Sequence, residues 1–172
     1  QGGYHDAFTI NDNAVVEVAE LMGEVTNAKD SFASVPDSVR VAARASEQKA
    51  IQGLLATQQK IKGKPTLWGQ QHDALTLEPT SARNYEPAAL CSFESANILM
   101  YLMSLPSRTT QIRQAIEAGV SALRSLAVEG KVWRKVSEQE GRQLVNHPGA
   151  PKIWARYYDQ TSLAPIFGDR DK

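Results

Sequence analysis

The stretch from Trp68 to Ser95 most constrains how this chain can fold. It reads W-G-Q-Q-H-D-A-L-T-L-E-P-T-S-A-R-N-Y-E-P-A-A-L-C-S-F-E-S and lies between two segments with helical periodicity. A loop of this length inside a compact domain is either functional or disordered. Its apolar content argues for order. Trp68, Leu75, Leu77, Tyr85, Leu90 and Phe93 carry too much apolar surface for a solvated linker. The same stretch gathers His72, Asp73, Glu78, Arg83, Glu86 and Glu94. An ordered loop mixing aromatic and ionisable groups is where a scaffold places a site. The same composition also suits a lid that only closes the core.

Around this stretch the pattern is helical. Asn11-Asp12-Asn13 offers short acceptor side chains for a helix N-cap. Val15, Val18, Ala19 and Met22 follow at helical spacing, which predicts a helix over about 12–26. Pro36 suits the first turn of a second helix, with Val39, Ala42, Ala43, Ala50, Ile51, Leu54 and Leu55 on its apolar stripe. That helix runs to about Lys60, before Gly63 and Pro65. A third starts at Ser92 or Phe93, buries Ile98, Leu99, Leu102 and Met103, and stops before Pro106. Ser107 can cap a fourth, where Ile112, Ala115, Ile116, Val120 and Leu123 repeat helically, with Gly130 as its stop. Short links between helices predict antiparallel neighbours. From Lys131 onward, short apolar pieces divided by Gly and Pro predict turns and a small β-hairpin near the C-terminus. The fold class is mainly α, with long ordered loops, in a single domain over residues 1–172.

Lys plus Arg equals Asp plus Glu at 19 each, so no global field draws in nucleic acid or an acidic polymer. A polyanion would have to be held by local arginines. No apolar run approaches the roughly 20 residues of a membrane span. Cys91 is the lone cysteine, which excludes an internal disulfide. Phosphate-loop, dinucleotide-binding and zinc-protease motifs are absent, and the three histidines lie far apart.

Four blocks carry a resemblance. They are F-T-I-N-D-N-A-V-V-E-V-A-E-L-M near the start, W-G-Q-Q-H-D-A-L-T-L-E-P with A-R-N-Y-E-P, then E-S-A-N-I-L-M-Y-L-M, and H-P-G-A-P-K-I-W-A-R-Y-Y-D with P-I-F-G-D-R-D. In that order they resemble the pectate lyases of polysaccharide lyase family 10. The resemblance implies that the antiparallel helices form part of an α/α toroid with a long surface groove. It also implies polygalacturonate (pectate) as the partner, calcium as cofactor, β-elimination as the chemistry, and a secreted protein.

Arg83 in A-R-N-Y-E-P matches the family's catalytic arginine. An arginine base needs a locally deprotonated guanidinium, whereas a charged one would serve as a carboxylate-binding fork. Asp12 in I-N-D-N-A matches an acidic residue near the calcium, and it also suits a helix cap. Arg156 in W-A-R-Y-Y-D and Arg170 in G-D-R-D match arginines that hold substrate carboxylates; each also suits a surface salt bridge. Trp68, Tyr85 and Trp154 offer apolar faces to sugar rings or to the core.

This sequence departs from the family in places. The family catalytic domain extends upstream of the first block, with a D-N-x-A-T-T-like segment that has no counterpart here. The family's P-S-L-S-G is Ala88-Ala89-Leu90-Cys91-Ser92, and the tyrosine of its I-T-Y-N-D is Ile10. Two readings follow: a non-catalytic carbohydrate-binding module that grips pectate, within a larger multidomain protein, or a calcium-dependent pectate lyase. A helical protein-interaction domain is a third.

Overall fold

The structure, a computed structural model, describes residues 4–167. Arg170 lies outside the described residues. Four helices make the body: α1 (Ala14–Thr26), α2 (Asp37–Thr57), α3 (Ser92–Ser104) and α4 (Thr110–Ser125). Helix α3 is the axis of the core. Its Ile98, Leu99 and Leu102 are buried with Val16 and Ala19 of α1, Leu54 of α2 and Ile112 of α4. Cooperative burial of these apolar faces holds the helices more than propensity does.

The helices differ from expectation in phase and ends. α1 begins at Ala14, and the Asx pair before it does not cap it. Asp12 (φ 55°) and Asn13 (φ 61°) are both left-handed, and no side-chain cap bond forms. The buried face of α1 is Val16, Ala19, Gly23 and Val25, so Val18 and Leu21 point to solvent. α2 ends at Thr57 because the next residues leave for a strand, and Val39 near its start is exposed. Met103 of α3 is exposed as well. For α4 the cap is Thr109, whose hydroxyl accepts from the Ile112 N–H at 3.3 Å.

The long stretch between α2 and α3 is a set of short strands. β1 (Phe8–Thr9) pairs with β5 (Gln71–His72), and β2 (Lys60–Ile61) pairs with β3 (Lys64–Pro65). A four-stranded antiparallel sheet runs in the order β10 (Pro165–Ile166), β9 (Tyr157–Tyr158), β6 (Leu90–Cys91) and β4 (Trp68–Gly69). The hairpin expected near the C-terminus is β7 (Lys131–Ser137) with β8 (Gly141–Asn146).

Two buried features fix the long stretch. A Cβ on Gly69 would lie 2.9 Å from the Pro79 Cβ and 3.1 Å from the Ala89 carbonyl oxygen. Gly69→Ala is therefore expected to destabilise by about 1–3 kcal/mol, as overpacking does, read as a lower midpoint in urea. His72 is fully buried; its Nε2 accepts from the Gly69 N–H at 3.1 Å and its Nδ1–H donates to the Leu77 carbonyl at 3.0 Å. That assigns a neutral ring protonated on Nδ1. Burial lowers its pKa below the ordinary 6.5, partly offset by those backbone bonds. The unfolded chain therefore takes up this proton first. Stability is expected to be full above about pH 6.5 and to fall as the pH drops below that value. Thermal melts across that pH check it, and His72→Gln should flatten the dependence.

Candidate ligand-binding groove

Strand pairing brings distant sequence blocks to one place. Leu90 pairs with Tyr158 and Cys91 with Tyr157, which sets Arg156 at the start of α3. The Ser92 N–H donates to the Arg156 carbonyl at 3.0 Å and the Ser92 hydroxyl to the Ala155 carbonyl at 2.7 Å. On the other side, the Ile10 and Asn11 N–H groups both donate to the Gln70 carbonyl at 2.8 Å. This holds the left-handed turn of Asp12 and Asn13 against the long stretch.

Between these two seams runs a continuous chain of buried polar side chains. Arg83 ion-pairs with Glu86, and its backbone N–H donates to Glu86 Oε2 at 3.1 Å. Glu86 Oε1 also accepts from Asn11 Nδ2 at 3.1 Å. Gln70 Nε2 donates to Asn11 Oδ1 at 2.8 Å and to Glu94 Oε1 at 3.0 Å. Arg156 Nη2 donates to the same Glu94 oxygen at 3.2 Å. The Tyr157 hydroxyl donates to Gln70 Oε1 at 2.6 Å, and the Cys91 thiol donates to Glu94 Oε2. Asn11, Gln70, Glu86 and Glu94 are buried, whereas the arginines at the two ends are about half exposed. A buried network whose members are all paired is rigid, so it fixes both guanidinium groups.

The electrostatics follow. The Arg83 hydrogen bond holds the Glu86 carboxyl below the usual range. In return the Glu86 bond raises the Arg83 pKa, and the nearby Asp12 charge adds to this, so the guanidinium stays charged. Partial burial works against the charge on Arg156, yet Glu94 and its neighbours hold the pKa above the ordinary value. Burial, with Glu94 beside it, pushes the Cys91 thiol up to about 12, so it remains a thiol and a hydrogen-bond donor.

A groove of about 850 Å³ opens beside this network, lined in part by Tyr85, Trp133, Trp154, Arg156, Tyr157 and Phe167. A second, apolar hollow of about 530 Å³ shares Trp154 and Arg156 with it and adds Phe93 and Leu123. Trp154 and Arg156 thus form the ridge between the two. Trp154 is 44 % exposed, and its Nε1–H is tethered to the Leu123 carbonyl at 2.7 Å. The Arg83 guanidinium lies over the Tyr85 ring at 5.1 Å from its centroid.

Of the residues singled out in the sequence, Tyr85, Trp154 and Arg156 line the groove, with Arg83 stacked on Tyr85. Asp12 is exposed and contributes to the field at Arg83. Trp68 is a correction: it is fully buried, with its Nε1–H donated to the Leu54 carbonyl at 2.6 Å, and it presents no face to a ligand. The lid reading of the long stretch is too narrow, since its Gln70, Glu86 and Glu94 anchor the two arginines. Asn11, Gln70 and Tyr157 were not singled out. The available signal was polar residues inside otherwise apolar blocks, Q-Q-H and R-Y-Y among them.

Calcium needs six or more oxygen ligands. Among the described residues no three His, Cys, Asp or Glu side chains are grouped to hold a metal ion. Glu86 and Glu94 are committed to arginines, which leaves Asp12 as the exposed carboxylate beside the network. The described residues therefore do not make a calcium cage by themselves. No helix among them is long and apolar enough to cross a membrane.

A family profile described as pectic acid lyase matches residues 1–172. No curated protein matches the chain. Among solved structures, a Family 10 polysaccharide lyase from Cellvibrio cellulosa is similar, with a TM-score of 0.88 and 32% identity over 99% of this chain and 53% of that one. A mutant of the Family 10 lyase from Cellvibrio cellulosa in complex with trigalacturonic acid gives a TM-score of 0.87 and 32% identity over 99% of this chain and 54% of that one. The chain spans about half the length of these solved structures.

Proposed function

Because the chain belongs to the pectic acid lyase family, we propose that its groove binds polygalacturonate, as a carbohydrate-binding module. The observation that carries this reading is the pair of charged guanidinium groups held at the two ends of one buried network. A guanidinium fork matches a carboxylate in two parallel hydrogen bonds, and pre-fixing it reduces the entropy lost on binding. Arg83 and Arg156 take uronate carboxylates, while Tyr85 and Trp154 offer flat apolar faces to the sugar rings. Arg170, in the G-D-R-D segment, is a further candidate carboxylate ligand. We read the four helices as part of a toroid, and place the protein outside the cell with its polymer.

The ion pair of Arg83 with Glu86 suits the binding reading, because a charged, pre-fixed guanidinium grips a carboxylate. The alternative, elimination by a pectate lyase, is supported by family membership and by likeness to a Family 10 lyase. For calcium we propose that Asp12 is the one acidic ligand these residues bring.

The test is one assay pair on this chain with polygalacturonate, with calcium and with chelator. Retardation in a gel containing the polymer reads binding, and ultraviolet absorbance of the unsaturated product reads elimination. Retardation without product is the expected result. Calcium-dependent product would overturn the binding-only reading, and absence of both signals would overturn pectate recognition. Asp12→Ala should abolish any calcium response.

A further inference from the structure

The β7–β8 hairpin carries a face that the pectate reading leaves unused. Trp133 and Leu144 are cross-strand partners and both line the groove. Trp133 is 42 % exposed and stacks on Phe167 with ring centroids 4.9 Å apart and planes 8° from parallel. Side chains alternate along a strand, so residues two apart share a face about 7 Å apart. Lys135 and Arg142 are the next partners on that same face, directly opposite one another. Both are exposed.

Like charges directly opposite across two strands destabilise the pair. Glu138 in the turn pairs with Lys135, but the Arg142 side chain has no hydrogen-bond or ion-pair partner among the described residues. The hairpin therefore keeps a charge arrangement that a bound anion would relieve. Its neighbour on the groove side is an aromatic face already held flat by Phe167. An aromatic plate followed by two cations on one strand face suits a sugar ring with a carboxylate beyond it.

We propose that this hairpin face is an additional binding subsite for an acidic sugar, extending the groove outward from Trp133 to Lys135 and Arg142. The proposal rests on the pectate reading and names where a longer chain of the same polymer would continue. It makes affinity depend on ligand length, because a chain held at Arg156 reaches the outer cations only if it runs on past Trp133.

The experiment compares galacturonate oligomers of three and eight units by calorimetry, on this chain and on the double variant Lys135→Gln with Arg142→Gln. The unsubstituted chain should bind the longer oligomer more tightly than the shorter. The double variant should lose about 5-fold for the longer oligomer and remain within about 2-fold for the shorter. Its Tm should stay within a few degrees, since the relieved like-charge pair and the lost Lys135–Glu138 ion pair are both exposed and oppose one another. Equal affinities of the unsubstituted chain for both oligomers would overturn the subsite. So would unchanged binding of the longer oligomer by the variant, or equal losses for both lengths. Failure of the unsubstituted chain to bind either oligomer would overturn the pectate reading itself, and the subsite with it.

Discussion

Replacing Trp68 with alanine is expected to remove about 3–5 kcal/mol of stability while leaving the groove chemistry in place. The side chain is fully buried in the α1–α4 core, where its ring packs with Leu54 and the α3 leucines. Its Nε1–H is a donor to the Leu54 carbonyl, so truncation also removes that bond and leaves the carbonyl only the Thr57 hydroxyl at 3.2 Å. For a domain of this size such a loss lowers Tm by about 10 °C or more. Thermal melts read the stability, and pectate retention measured well below the new Tm reads the site. Unchanged Tm with lost retention would return Trp68 to the groove.

Arg156→Ala is expected to have the largest effect on binding. Hydrogen bonds to charged groups contribute roughly 1.5–3 kcal/mol, which corresponds to a loss of at least about 10-fold in pectate affinity. Stability should also fall, by up to about 3 kcal/mol, because Glu94 keeps its donors Gln70 and Cys91 but loses the cation that neutralises its buried charge. Arg156→Lys retains the charge and loses the fork, so it should fall between the two. Titration with polygalacturonate, beside melts of the same samples, separates these outcomes. Equal affinities of Arg156→Ala and the unsubstituted chain would remove Arg156 from the site.

The helices were legible because their apolar spacing is strong, and their phase was not. In α1 the run Val15-Val16 and Val18-Ala19 fits two neighbouring stripes, and only packing against α2 and α3 selects Val16 and Ala19. Asp12 read as a cap because Asn-Asp-Asn is cap chemistry, but the Gln70 carbonyl takes the Ile10 and Asn11 N–H groups and turns the chain left-handed before the helix starts. Arg83, Arg156 and Tyr85 were singled out through the motifs that contain them. The network that orients them was hidden, since Asn11, Gln70, Glu86 and Glu94 meet only after strands from four parts of the chain pair. Trp68 stayed open between sugar and core for a related reason: an aromatic beside polar residues looks the same in sequence whether it faces solvent or core.

That sheet also sets an order of events. Helices α1 and α2 are sequence neighbours and can associate through local contacts. Strand β6 meets β9 only when position 158 has been brought back to position 90. Contacts of such long sequence separation are slow to form, because loop closure precedes any gain from them. The arginine at the start of α3 therefore acquires its place late in folding, after the helical body. In amide exchange the helix interiors should protect first and the β6–β9 seam last. Ligand binding at the groove would then stabilise the seam selectively, coupling occupancy to closure of the last part of the fold to form.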